Sequence, residues 1–175
     1  EDSLKLARAL AQTLTSMEER GLAHCDLTGG NVIVAAPAPG ATTRWPVELV
    51  DVEQMYAQQL IQPPEMAAPV AGYTCRKGKV RWRADADRFA GAVLLAEMLG
   101  WCDAEVRAQA WGEHYFDPKE MQQDTERYQV LRRAIREQWG KSAAALFKRV
   151  WHCEALAECP TFLEWLSALP DVPGP

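Results

Sequence analysis

The stretch "DADRFAGAVLLAEMLG", residues 85–100, constrains the fold of this chain most. Its apolar side chains run nearly all the way round a helical wheel, and such a helix has no face to give to water. It predicts a buried central helix, so other helices must surround it. The other periodic segments supply them. In "DSLKLARALAQTLTSMEER" (2–20), Leu4, Ala7, Leu10, Leu14 and Met17 fall on one helical stripe; Asp2 or Ser3 can cap the start and Gly21 can stop the end. Asp103 opens a short helix running to Trp111. "DPKEMQQDTERYQVLRRAIREQWG" carries Asp117 as a cap, Pro118 in the first turn and Glu120 at the capping-box position, predicting a helix over 118–138 with Met121, Tyr128, Leu131, Ile135 and Trp139 as its stripe. Ser142 can cap a helix over 142–152, and Thr161 with Glu164 forms a second capping box for 161–169.

Only one part of the chain looks like sheet. Residues 31–36 and 46–52 are β-branched and apolar, and the turn-rich "PAPGATTR" between them predicts a hairpin. Residues 57–84 show no sustained period and contain Pro63, Pro64, Pro69, Gly72 and Gly78. A loop of that length in a compact domain is usually functional. The expected fold class is mainly α with a small β-hairpin, one domain over 1–170 and a tail over 171–175.

Composition excludes several functions. A net charge of −5 argues against general affinity for nucleic acid. No apolar run approaches the roughly 20 residues of a membrane span. The five cysteines (Cys25, Cys75, Cys102, Cys153 and Cys159) are odd in number and irregularly spaced, as expected of reduced thiols in a cytoplasm. The seven tryptophans fall mainly at helix stripes and helix ends, where core packing explains them. The basic run "RKGKVRWR" (76–83) reads as a solvated loop before it reads as a dock for an acidic substrate.

Two polar clusters flank the hairpin. His24, Asp26 and Asn31 precede it, and Asp51 and Glu53 follow its second strand. Polar groups beside a buried strand are costly unless something uses them. A hairpin brings Asn31 and Asp51 to the same end, where an amide and a carboxylate oxygen suit a hydrated Mg²⁺. Asp26, five residues before Asn31, could then accept a proton from a hydroxyl nucleophile.

"HCDLTGGN" resembles the protein-kinase catalytic loop, H-R-D-L-x-x-x-N. "DVE" stands where that family carries Asp-Phe-Gly. "DRFAGAVLLAEMLG" is similar to the central helix of its C-terminal lobe, with a leading Asp and a Glu ten positions later, and "CPTFLEWL" resembles the R-P-T-x-x-E-L stretch near its end. The four motifs stand in order and cover nearly the whole chain. The resemblance implies a kinase-like C-terminal lobe lacking the N-terminal lobe. It implies ATP and Mg²⁺ as cofactors, with Asp26 as catalytic base or hydroxyl-orienting group, Asn31 and Asp51 as Mg²⁺ ligands, and Glu53 as an added carboxylate at the metals. His24 would brace the loop against the Asp51 segment, and Asp87 would accept backbone hydrogen bonds from it.

The departures are informative. Cys25 replaces the family's Arg, removing the partner of an activation-loop phosphate. Thr28 stands where serine/threonine kinases carry a Lys near the γ-phosphate. The family pairs the Glu of Ala-Pro-Glu with the Arg of R-P-T; here Lys77 and Cys159 occupy those places, so the loop must be anchored otherwise, with Tyr73 and Trp82 as candidates. No Gly-rich loop, strand Lys or helix Glu precedes the catalytic loop, so the 175-residue chain alone is expected to be inactive. In full context the resemblance implies a cytoplasmic, bacterial-type protein kinase acting on Ser or Thr hydroxyls of a protein substrate. The D-x-E feature, shared with aminoglycoside and choline kinases, leaves a small-molecule phosphotransferase open. Cys25, Thr28, Lys77 and Cys159 leave open a pseudokinase scaffold or binding module.

Overall fold

The apolar helix lies where its sequence requires, inside a shell of other helices. The computed structural model describes residues 1–35, 47–68, 70–76, 81–112 and 114–171. Among them the central helix is α2 (Arg88–Gly100), preceded by α1 (Asp2–Glu19) and followed by α3 (Ala104–Ala108), α4 (Glu126–Trp139), α5 (Lys141–Trp151) and α6 (Phe162–Ala168). Phe89 to Ala96 are all buried in α2, with Leu99 and Gly100. Each fully buried Leu, Val or Phe there is worth about 1.5–3 kcal/mol in apolar transfer. α1 packs on α2 through the predicted stripe, and α4, α5 and α6 contribute Tyr128, Leu131, Ile135, Phe147, Trp151, Phe162 and Trp165 to the same core.

Two glycines make α2 fit. A Cβ on Gly91 would lie 2.6 Å from the Phe162 ring and 2.8 Å from Leu14 Cδ1, so α1, α2 and α6 meet there at a distance only glycine allows. Gly100 likewise leaves room for Leu131 of α4. Glu18 fastens the same junction with both oxygens: it pairs with Arg88 of α2 and accepts from the Phe162 backbone N–H of α6.

The helix ends follow local chemistry, with corrections. Gly21 (φ +67°) ends α1 in a Schellman arrangement, Leu22 N–H reaching Met17 O and Gly21 N–H reaching Glu18 O. The N-cap of α1 is Glu1 rather than Asp2 or Ser3. Asp103 caps α3 as expected, accepting from Glu105 N and Val106 N, but α3 ends at Ala108 and Trp111 instead pairs with His114. Thr161 and Glu164 form the full capping box of α6. α5 starts from Gly140 (φ +98°), so Ser142 is not its cap.

The helix expected over 118–138 begins only at Glu126. Asp117 and Pro118 open a three-residue 3₁₀ turn instead, and Gln122 (φ +55°) breaks the chain direction. That break has a use. The Gln122 amide nitrogen donates to Trp151 O and Cys153 O, while its oxygen accepts from Arg76 N, pinning three segments together. Trp101 and Trp111 are 51% and 42% exposed and so lie outside the core role expected of them.

The hairpin is shorter than expected. β1 (Val32–Val34) pairs antiparallel with β2 (Val47–Leu49) in the register Val32↔Leu49, Ile33↔Glu48, Val34↔Val47. The turn assigned to 37–44 lies outside the described residues, as do Pro69, Lys77, Gly78 and Lys79. Among the described residues of 57–84 there is no helix or strand. No described helix is long and apolar enough to cross a membrane.

Candidate functional site

The site forms where the end of α1, the hairpin and the start of α2 meet. An antiparallel bridge between Ala23 and Tyr56 (Tyr56 N–H to Ala23 O, 2.7 Å) closes the segment before the loop onto the segment after Asp51. At the hairpin base Val50 N–H donates to Asn31 O at 3.1 Å, which brings the Asn31 and Asp51 positions to one end of the strands.

Asp87 organises this corner. An Asp at a helix N-cap ordinarily accepts from its own helix. Asp87 makes no such bond. Its Oδ2 accepts from His24 N at 2.5 Å and its Oδ1 from Cys25 N at 2.9 Å, so one buried carboxylate holds two successive loop amides. Burial pushes the Asp87 carboxyl up, and the two amide donors with nearby His24 oppose that shift. Gripped this way, Cys25 takes φ +66°, a left-handed conformation that is strained for a side chain larger than glycine. Asp51 is held at φ +58°. An Asp tolerates that conformation more readily than a Cys does.

Each predicted side chain can then be placed. His24 is fully buried and its Nε2 lies 2.7 Å from Val50 O, bracing the loop against the residue before Asp51. Asn31 Nδ2 donates to Asp26 O at 2.8 Å, and its Oδ1 carries no hydrogen bond among the described residues. Asp26 is half-buried and accepts from Gln54 Nε2 on Oδ2 at 3.2 Å, leaving Oδ1 open. Asp51 and Glu53 are exposed and make no hydrogen bond or ion pair among the described residues.

The metal expectation can be tested on these oxygens. Among the described residues no group of three or more His, Cys, Asp or Glu side chains converges as a metal site, so Glu53 does not join Asp26 and Asp51 in a carboxylate cluster. A hydrated Mg²⁺ does not need one, because it keeps several waters and uses one or two protein oxygens beside substrate phosphates. The free Asn31 Oδ1 and the unpaired Asp51 carboxylate fit that demand.

Residues beyond the predicted set support the site. Gln54, buried in the 3₁₀ turn after Asp51, links Asp26 Oδ2 to the backbone N–H of Ala67 in the long loop. Nothing in "DVEQ" marked the Gln as special. Tyr73 donates to Glu97 Oε2 at 3.0 Å, and a Cβ on Gly29 would sit 3.2 Å from the same hydroxyl, so the tyrosine wedges between the loop 24–31 and α2. Glu97 also accepts from Tyr115 N, and burial pushes its carboxyl up to about 7 against those two donors. A lone carboxylate in an apolar helix was the available signal.

The long loop is anchored by aromatic and thiol contacts. Tyr73 is buried against Glu97, and Trp82 packs edge-to-face on Tyr56 at 4.8 Å. Cys75 is buried beside Cys153, whose Sγ lies 2.9 Å from Cys159 Sγ. A thiol trio thus ties the loop to the segment before α6. Arg81 bonds Ala67 O, Arg83 pairs with Asp85, and both belong to the loop's own framework. A small cavity of about 50 Å³ lies under Asp26 and Thr28, with Arg81 and Tyr73 in its wall. No protein-family model matches the chain, and no curated protein matches it at a significant level.

Proposed function

We propose that this chain is the C-terminal lobe of an ATP- and Mg²⁺-dependent phosphotransferase of the protein kinase-like type, acting on Ser or Thr hydroxyls of a protein. The observation that carries this reading is the grip of Asp87 on the His24 and Cys25 amides. It fixes the loop that carries Asp26 and Asn31, and the Val50 N–H to Asn31 O bond brings that loop to the strand end that leads into Asp51. Bound at Asn31 and Asp51, Mg²⁺ would neutralise charge on the phosphates of ATP.

Two groups of the chain would handle the acceptor hydroxyl. Asp26 Oδ1 accepts the hydrogen of the incoming hydroxyl while Gln54 holds the other oxygen in place. ATP, when bound, would supply the γ-phosphoryl group, its bridging P–O bond breaking with the electron pair leaving on ADP as the hydroxyl oxygen bonds to phosphorus. Positioning supplies most of the catalysis in this chemistry. The lid and the phosphate-binding Lys would come from an N-terminal lobe, so the 175-residue chain alone turns over negligibly.

The small-molecule alternative asks for a carboxylate-lined pocket on the C-terminal helices for an aminoglycoside or choline. The hollow between α4 and α5 is lined by Arg132, Arg136, Lys141 and Lys148 and supplies no such carboxylate lining. The test is transfer of label from radiolabelled ATP by the protein joined to its N-terminal lobe, offering protein, then aminoglycoside and choline acceptors. Label should reach protein Ser and Thr. Asp26→Ala should spare Mg·ATP binding and cut turnover by about 10²-fold or more, and Asp51→Ala should abolish metal-dependent binding. Transfer to the small acceptors alone overturns the proposal, and binding without any transfer assigns the fold to a scaffold.

A further inference from the structure

The chain carries 24 Asp and Glu against 19 Lys and Arg, yet one hollow is almost purely basic. It is an open hollow of about 430 Å³ between α4 and α5, with Ala144 and Ala145 in its wall. Arg132 and Arg136 stand one helical turn apart on α4, and Lys141 and Lys148 of α5, with His152 just after it, line the same hollow. Arg149 also lines the hollow but is committed to Glu164 through two hydrogen bonds. Arg132, Arg136, Lys141 and Lys148 form no ion pair among the described residues. Glu137, lining the adjoining hollow on α4, is the single acidic residue in the walls of either.

A second observation points the same way. The Arg132 Nε is buried and has no acceptor among the described residues. A buried, unsatisfied N–H on a cation is costly, and so is the mutual repulsion of four unneutralised cations around one concavity. The repulsion falls when an anion enters.

We infer that the α4–α5 hollow is a binding site for a small polyanion carrying two or three phosphate groups. Four unpaired cations match that charge. Guanidinium forks hold phosphate oxygens in a bidentate way, and linked phosphates bring the charge that a single carboxylate or sulfate lacks. A volume within the ordinary range for small ligands suits a compact polyphosphate better than a membrane surface or nucleic acid, which need an extended basic face. The hollow shares no lining residue with the Asp26–Asn31–Asp51 corner, so the inference stands apart from the proposed phosphotransferase activity.

The test is calorimetric titration of the protein with inorganic tripolyphosphate in EDTA at low ionic strength, which removes the divalent-metal route to Asp51. Saturable one-to-one binding is expected, weakening as salt rises. Arg136 and Lys148 are both exposed, so the double variant Arg136→Gln, Lys148→Gln should melt as the parent does and bind at least about tenfold more weakly. The pair Lys141→Gln, Lys148→Gln gives the same result from α5 alone, and Asp51→Ala leaves binding intact. Sulfate should bind far more weakly. No saturation, undiminished binding by both double variants, equal affinity for sulfate, or capture by anionic lipid vesicles without tripolyphosphate binding each overturns the inference.

Discussion

Asp87 and Glu97 are two carboxylates on one buried helix, ten residues apart, and burial raises the pKa of both. Their partners differ. Asp87 spends both oxygens on consecutive backbone amides of the loop, while Glu97 takes one backbone amide and one tyrosine hydroxyl. Backbone donors cannot rotate away, so Asp87 dictates a loop conformation, including the left-handed Cys25. A tyrosine hydroxyl can turn, so Glu97 tethers without dictating. One end of α2 fixes geometry and the other fixes position.

Removing Asp87 should break that contrast most severely. Asp87→Ala strands two buried N–H groups and removes the support for Cys25, at a cost of about 1–3 kcal/mol for each orphaned donor. The urea midpoint should fall accordingly, and the His24 and Cys25 amides should lose hydrogen-exchange protection first. A variant that keeps that protection would show that the loop holds its shape unaided.

Glu97 should yield a smaller effect that depends on pH. Its ordinary value is near 4.5 and its folded value about 7, so between those limits the unfolded chain has released a proton that the folded chain keeps. Stability is therefore complete below about pH 4.5 and is lost as pH rises through 7, by up to about 3 kcal/mol. Glu97→Gln keeps an acceptor for Tyr73 and should flatten that part of the denaturation profile. An unchanged slope would assign the pH dependence elsewhere.

Tyr73→Phe sharpens the comparison at lowest cost. It deletes one hydroxyl bond, worth about 1 kcal/mol. It should also move the Glu97 transition to higher pH, because one donor to the ionised form is gone. The Cys25 amide should stay protected, since Asp87 does not depend on Tyr73.

Much of this was legible in the residues. α2 announced itself by having no polar face, and Gly21, Asp103 and Thr161–Glu164 marked helix ends through chemistry that acts within four residues. The contacts of His24 with Val50 and of Asp87 with the loop amides followed from motif positions, and the shared end of Asn31 and Asp51 followed from the hairpin. What failed was decided at long range. Asp117, Pro118 and Glu120 make a sound start signal, but Gln122 is needed in a left-handed turn to reach residues 76, 151 and 153, and Glu120 is drawn to Arg127 instead. Gln54 and Gln122 gave no local hint because an amide's value depends on partners that only the fold brings near.

The thiol trio of Cys75, Cys153 and Cys159 has a consequence for how the long loop fails. An ion pair at that place would weaken with added salt as its charges are screened. Thiols ordinarily carry no charge at neutral pH, and the Cys159 hydrogen bond helps push Cys153 up to about 12. Ionic strength therefore leaves this anchorage untouched, and the loop's exposure to damage passes from electrolytes to oxidants that convert sulfur.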